Sequence, residues 1–208
     1  MKKKILGSVC LVLGIAILVT TSTSFAYFSA SSDPNTSITG TTINFNVDLE
    51  ISTIHKATQL IPLSNSLIDD AITKSSNKCI DSKNYEVCTL YSLELTNSGD
   101  PVIIDGYLKT TSTSYITDNL KCQLFDSNYN AVSDIMTISR VVNEKKYFMS
   151  GTNMVNTQLN TNGTNSYYLA IWLTETNTLQ NDDYSKNFSG VIGFESINGE
   201  TIEAKFTS

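Results

Sequence analysis

Beyond packing, the chain's chemistry rests on three cysteines past its N-terminal stretch, one histidine and a few clusters of oxygen donors. Cys79 and Cys88 flank Ile80-Asp-Ser-Lys-Asn-Tyr-Glu-Val87, which carries turn formers at its centre. A stretch of that kind folds back as a hairpin, so among the three possible pairings a Cys79–Cys88 disulfide is favoured. Closing so short a loop stabilises the fold by about 2.5 kcal/mol on the chain-entropy argument. Cys122 is then left over. In Leu120-Lys-Cys-Gln-Leu124 alternation puts it on the apolar face, where a buried free thiol is expected. Thiols nine and 34 residues apart, with no Cys-x-x-Cys, do not make a zinc knuckle, so neither metal nor cofactor is expected. His55, beside Lys56, reads as an exposed loop residue. As the only histidine it leaves a His-pair zinc site or a Ser-His-Asp triad short of its usual parts. His-Glu-x-x-His, Gly-x-Ser-x-Gly and phosphate-cradling glycine loops do not occur. The expectation is a protein that is not an enzyme and has no catalytic residues, although two distant carboxylates could still converge as in a glycosidase.

Other oxygen and aromatic clusters have two readings each. Asp126-Ser-Asn-Tyr-Asn130 begins like a calcium loop, but Ala131 and Thr137 stand where glycine and glutamate are required, which favours a hairpin turn. Asn181-Asp182-Asp183 offers three oxygen ligands with nothing nearby to complete a cation site, and reads as a solvated turn. In Tyr167-Tyr-Leu-Ala-Ile-Trp-Leu173 residues on both faces are apolar, so Trp172 is expected in the core of a central strand or under a loop. The alternative makes Tyr168 and Trp172 a platform for stacking sugars. Asn35, Asn162 and Asn187 each open an N-glycosylation pattern of the kind that arises by chance in so Asn- and Thr-rich a chain.

The elements that must position these groups are constrained by composition. The chain has 208 residues, 16% charged and 40% hydrophobic, with 26 Thr, 26 Ser and 20 Asn. Charge is well below the roughly 25% of ordinary soluble domains, and the uncharged polar residues replacing it favour strands and turns over helices. The net charge of -6 and the absence of a Lys/Arg cluster after Lys4 exclude nucleic acid as a main partner. At the start, Met1-Lys-Lys-Lys4, an apolar run from Ile5 to Val19 and Ser24-Phe25-Ala26 form the three parts of a secretory signal peptide. Cleavage is expected between Ala26 and Tyr27, giving an acidic extracytoplasmic chain. The competing reading is a retained membrane anchor at 5–26, weakened by eight Thr and Ser between positions 20 and 32.

Past the signal the sequence is written in strands. Ile43, Phe45, Val47, Leu49 and Ile51 alternate with polar residues, predicting a strand with one wet face. Residues 53–86 are expected to make a surface excursion closed by the cysteine pair, with two helical turns over Leu67–Thr73 capped by Ser66. Strands are predicted at 87–96, 102–110, 120–125, 137–142, 167–174, 188–197 and 202–206, and a long mobile loop near 143–166. Asn198-Gly199 predicts a tight hairpin needing two residues at positive φ. The fold expected is all-β: an antiparallel β-sandwich of jelly-roll type at 42–208, preceded by a signal-peptide helix and an arm at 27–41.

Ser22-Thr-Ser-Phe-Ala-Tyr-Phe-Ser29, followed by Gly40-Thr-Thr-Ile-Asn-Phe-Asn-Val47, resembles the TasA/camelysin family of secreted biofilm-matrix proteins. The family's precursors carry a lysine-rich signal, an aromatic pair near the processing site and an early strand after a Gly-Thr-like turn. Val87-Cys-Thr-Leu-Tyr-Ser-Leu-Glu-Leu-Thr-Asn97, Tyr168–Leu173 and Phe188–Phe194 are similar to its later strands. The resemblance implies a SipW-kind signal peptidase as export partner, a jelly roll outside a bacterial cell, and fibre or matrix roles with copies of itself or other matrix proteins. The Cys79–Cys88 loop departs from the family pattern, and the zinc motif expected of a metallopeptidase is lacking. The residues add a mechanism: the arm, anchored by Tyr27 and Phe28, is lent to a neighbour's open sheet edge, and Pro34 and its neighbours keep it from pairing at home. The alternative function is an anchored surface module that binds a glycan or a host or partner protein, with polysaccharide as candidate ligand.

Overall fold

The computed structural model describes residues 38–39, 45–57, 60–73, 79–183 and 186–207. The signal, its cleavage point at Ala26 and Tyr27, the anchor reading at 5–26 and the Tyr27–Phe28 anchor of the arm lie outside the described residues. The strands run β1 Ile38–Thr39, β2 Val47–His55, β3 Cys88–Asn97, β4 Val102–Thr113, β5 Leu120–Asp126, β6 Met136–Thr137 and β7 Lys145–Tyr147. They continue as β8 Met149–Ser150, β9 Asn153–Met154, β10 Asn156–Leu159, β11 Gly163–Leu173, β12 Phe188–Ser196 and β13 Thr201–Thr207. Among the described residues, helix is confined to two 3-10 turns, Asn65–Leu67 and Asn181–Asp183, and to α1, Ile68–Thr73.

All of these strands but β8 and β9, which pair with each other, form two antiparallel sheets packed as a sandwich. One has the order β1-β2-β3-β11-β5-β6 and the other β10-β4-β12-β13, with β7 also on β4. The chain crosses between sheets after β3, β4, β6, β10 and β11, a jelly-roll kind of wiring in which neighbours in sequence serve opposite layers. Alternation drives this arrangement. Phe45, Val47, Leu49 and Ile51 are buried between the layers while Asn46, Asp48 and Glu50 face out. From the other sheet Ile104, Leu108, Ile192, Phe194 and Ile202 meet them. One side of the sandwich is sealed where β13 lies along β1 and β2, with the Tyr91 and Phe206 rings 5.1 Å apart. Toward the opposite side the β8–β9 hairpin is held to the segment before β6, where Asp134 N–H donates to the Met149 carbonyl.

Several expectations are corrected. The first strand continues to His55, so the excursion begins later, and its described part packs rather than floats: Leu63, Ile68, Ala71 and Ile72 are buried against the outer face of β3 and β11. The helical turns start at Asn65; Ser64 holds the cap position without a side-chain cap bond, and Ser66 lies inside the turn. The long loop expected near 143–166 is instead β7, β8, β9, β10 and the start of β11. Short edge strands hydrogen-bond through the backbone and need no apolar alternation, yet Phe148 and Leu159 still enter the core. The strand expected at 137–142 is only Met136–Thr137.

Asn198-Gly199 does turn a hairpin, but only Gly199 has positive φ, 84°. The same five-residue turn occurs at Asp81–Tyr85, Asp126–Asn130 and Ser196–Glu200. In each, the first N–H donates to the fifth carbonyl and the fourth N–H donates to the first carbonyl. The fourth residues, Asn84, Tyr129 and Gly199, take φ of 64°, 64° and 84°. Asp81 Oδ1, Asp126 Oδ1 and Ser196 Oγ each accept from the third and fifth N–H, at 2.8 to 3.2 Å. One left-handed residue after a type I turn gives strands a matched twist without a second.

Candidate functional site

The outer face of the first sheet is where the sequence's special residues collect. Cys79 and Cys88 are joined, with Cα atoms 5.1 Å apart, so the expected disulfide is present. It ties the foot of the Asp81–Tyr85 hairpin to the start of β3, and both cysteines are fully buried in a second apolar cluster with Leu63, Ile72, Leu90 and Trp172. The excursion between β2 and β3 therefore acts as a cover. That explains why β11 reads apolar on both faces: Leu169, Ile171 and Leu173 point to the sandwich core, and Ala170 and Trp172 point to the cover.

Above this cover runs a groove of about 1000 Å³, walled by Pro62 and Leu67 of the excursion, Asn84 and Tyr85 of the disulfide hairpin, and Glu175 and Leu179 of the connection after β11. Leu67, Tyr85 and Leu179 are 48%, 46% and 76% exposed, a concentration of apolar surface that packing does not require. The walls are held by backbone. Leu63 N–H donates to the Leu173 carbonyl at 2.9 Å and Glu175 N–H to the Leu63 carbonyl at 2.9 Å. The buried Gln180 side chain closes the last loop, donating to the Thr174 carbonyl at 2.9 Å and accepting from Thr176 N–H at 3.2 Å. Asp70, Asp81 and Glu175 against Lys83 make the groove acidic. With one exposed ring, apolar rims and amides and carboxylates between, it is suited to hold a ligand by contact and hydrogen bonding.

The sequence's other candidates are placed as follows. Trp172 is 0% exposed and its Nε1 donates to Asn65 Oδ1 at 3.0 Å, so a sugar-stacking platform on Trp172 is ruled out: the excursion covers the ring. Tyr168 is half-buried and stacked on Tyr129, ring centroids 4.4 Å apart, which occupies the face a sugar would need. That stack also offsets the strain of Tyr129 at positive φ. His55 ends β2 instead of sitting in a loop; its Nε2 is 3.7 Å from Glu86 Oε1. Burial lowers its pKa, and the Glu86 carboxylate opposes the shift only in part. Asp126 is engaged by its own turn, and the Asn130 amide bond holds its carboxyl below the usual range. Asp183 is no solvated turn residue: it is fully buried and accepts from the Thr117 hydroxyl and from Asn119 Nδ2 at 2.6 Å, pinning the β4–β5 connection. Cys122 is a free, fully buried thiol whose pKa burial pushes up. Among the described residues no group of three or more His, Cys, Asp or Glu could hold a metal ion, and no helix is long and apolar enough to cross a membrane.

Ile38 and Thr39, from the arm, pair with Leu49 and Asp48 of β2. The expectation that the arm stays unpaired at home is corrected at these two residues. The groove walled by Tyr85 was missed in the sequence because its three segments lie between positions 61 and 180 and no local pattern links them.

No protein-family model matches the sequence, and no curated protein matches it. Among solved structures, the X-ray structure of Northeast Structural Genomics Consortium target SoR45 is 13% identical, covering 79% of this chain and 84% of that one, with a TM-score of 0.25. A sugar phosphate isomerase of the cupin superfamily from Silicibacter pomeroyi is 10% identical over 59% of this chain and 70% of its own, with a TM-score of 0.15.

Proposed function

We propose that this chain is a secreted, non-enzymatic cell-surface or biofilm-matrix protein that assembles with copies of itself by lending its N-terminal segment to a neighbour's sheet. The observation that carries the reading is β1: two arm residues, Ile38 and Thr39, hydrogen-bonded antiparallel at the outer edge of β2. A strand that short contributes little and separates readily, and the backbone edge it vacates accepts the same segment from another chain. The 11 residues from Tyr27 to Ser37, which precede β1, add up to about 36 Å to the lent segment when extended, long enough to run on along a neighbour's β2 past Leu49. Such contacts are head-to-tail and do not close, so they build filaments. In this reading a signal peptidase removes residues 1–26, and the disulfide supports folding in an oxidising compartment outside the cell.

The test uses Thr39 and Asp48, Cα partners in the β1–β2 pair. Thr39→Cys and Asp48→Cys chains are mixed and oxidised. Strand donation yields a disulfide between one chain of each kind in filaments, and deletion of residues 27–36 leaves a folded monomer. Filaments in which the mixed chains never cross-link, while a Thr39→Cys/Asp48→Cys double variant cross-links only within itself, would refute it. A second reading, an anchored module binding a glycan or a partner protein, is favoured by the exposed Leu67, Tyr85 and Leu179 around one groove.

A further inference from the structure

The sulfur of this chain is unevenly placed. It has four cysteines and four methionines; Met1 and Cys10 belong to the signal segment, and Cys79 is bonded to Cys88. The remaining four, Cys122, Met136, Met149 and Met154, gather at the side of the sandwich opposite the β1–β13 contact. Met149 and Met154 are Cα partners across β8–β9, a hairpin closed by Gly151 and Thr152 with Gly151 at φ 63°. Directly opposed residues carry their side chains on one face with Cβ atoms about 5 Å apart. Met136 is the Cα partner of Cys122 across β5–β6. The hairpin is fastened beside Met136 by Asp134, whose N–H donates to the Met149 carbonyl at 2.6 Å and whose Oδ2 accepts from Gly151 N–H at 2.8 Å. All three methionines line one groove of about 840 Å³, with Lys146 and Tyr147 on its other wall.

Methionine used as filler belongs in irregular gaps of a core. Here Met154 is 44% exposed and Met149 half-buried, and Met136, although packed against the edge of the core, is also only half-buried, so none of the three is enclosed. We propose that Met136, Met149 and Met154 form a binding site for one soft monovalent ion, Cu(I) or Ag(I), held by three neutral thioether sulfurs. Thioethers select soft ions, whereas hard cations require oxygen donors. The Lys146 ammonium at the groove sets its charge against a multiply charged ion. Cys122, the strand partner of Met136, is fully buried and does not line the groove, so it is not counted among the ligands. The site stands apart from strand donation, which uses β1 and β2.

The test is titration of the full-length chain with Ag(I), which does not change oxidation state, followed by native mass spectrometry and NMR of 13C-methyl-labelled methionine. One bound ion per chain is expected, with the methyl signals of Met136, Met149 and Met154 shifting together and that of Met1 unchanged. Replacing the two cysteines other than Cys79 and Cys88, in Cys10→Ser/Cys122→Ser, leaves binding intact. The volume-conserving triple variant Met136→Leu/Met149→Leu/Met154→Leu keeps its circular dichroism and loses at least tenfold in affinity. Met154→Leu alone, at an exposed position, weakens binding even where the triple variant fails to fold. No uptake by the unaltered chain overturns the proposal, as does equal affinity in the leucine variants or loss of binding on removing the thiols.

Discussion

Replacing the disulfide in a Cys79→Ala/Cys88→Ala variant tests whether the excursion is a structural cover. The bond spans nine residues, for which loop closure removes about 8.7 cal/mol/K from the unfolded chain, or about 2.6 kcal/mol at room temperature. Both sulfurs are fully buried beside Leu63, Ile72 and Trp172, so truncation to alanine adds on the order of 1 kcal/mol. The total, about 3–4 kcal/mol, corresponds to a fall in Tm of roughly 6–16 °C for a domain of this size. Trp172 is a built-in reporter because it lies in the same cluster and its indole bonds Asn65 of the excursion. Urea titrations followed by its fluorescence give both midpoint and slope. If the cover detaches while the sandwich stays folded, the slope falls too, because surface is already exposed before unfolding. A loss below about 1 kcal/mol with an unchanged slope would show that Val87 N–H to the Cys79 carbonyl, 2.8 Å, and the Ile80–Glu86 bridge hold the hairpin unaided.

Two further outcomes follow from charge and exposure. On the outer face of the second sheet, burial raises the pKa of Glu203, but its bonds from Lys109 at 2.6 Å and Tyr107 at 2.7 Å outweigh this, and it lies below its ordinary value. Glu195 is lowered chiefly by its Tyr147 bond, then by Lys145 at 3.0 Å. Depressed carboxyls stabilise above their unfolded pKa near 4.3 and lose that contribution as pH falls through the lower folded values. Urea midpoints should therefore drop below about pH 4.3, and the drop should be shallower in Glu195→Gln/Glu203→Gln; an identical pH slope in that variant refutes the assignment. On the binding-module reading, Tyr85→Ala should abolish retention on a surface-polysaccharide column while leaving Tm within about 1–2 °C, because the ring is half exposed; undiminished retention removes the groove from consideration.

How much was legible depended on whether a feature is written locally. Alternation through Phe45, Val47, Leu49 and Ile51 fixed which face is buried, since a strand with one wet face has one solution. The Cys79–Cys88 pairing was equally local, a short stretch with turn formers between two thiols. Edge strands failed the same test. Lys145–Tyr147 and Asn156–Leu159 join β4 through backbone ladders that leave no apolar period in the sequence, and polar side chains suit a position facing water, so the segment read as loop. His55 was misjudged because the strand continues through a register shift between Thr53 and His55, where alternation is interrupted.

The candidate sites were less legible, for a reason rooted in topology. A sandwich whose chain crosses repeatedly between sheets brings together segments far apart in sequence, so a groove drawn from residues 61–71, 80–85 and 175–180 has no spacing signature. What the sequence does carry is a residue type in excess of what its position needs: Leu67, Tyr85 and Leu179 apolar yet exposed, or methionine gathered at the rim of the core. The two sides of the sandwich then separate the roles. β1 leaves from the side that β13 seals, while the methionine groove lies by the short edge strands β6 and β7. On the strand-donation proposal, exchange of β1 between chains would alter hydrogen bonds along β2 and not those of the β8–β9 hairpin, so the methionine groove would not be rebuilt by the exchange itself.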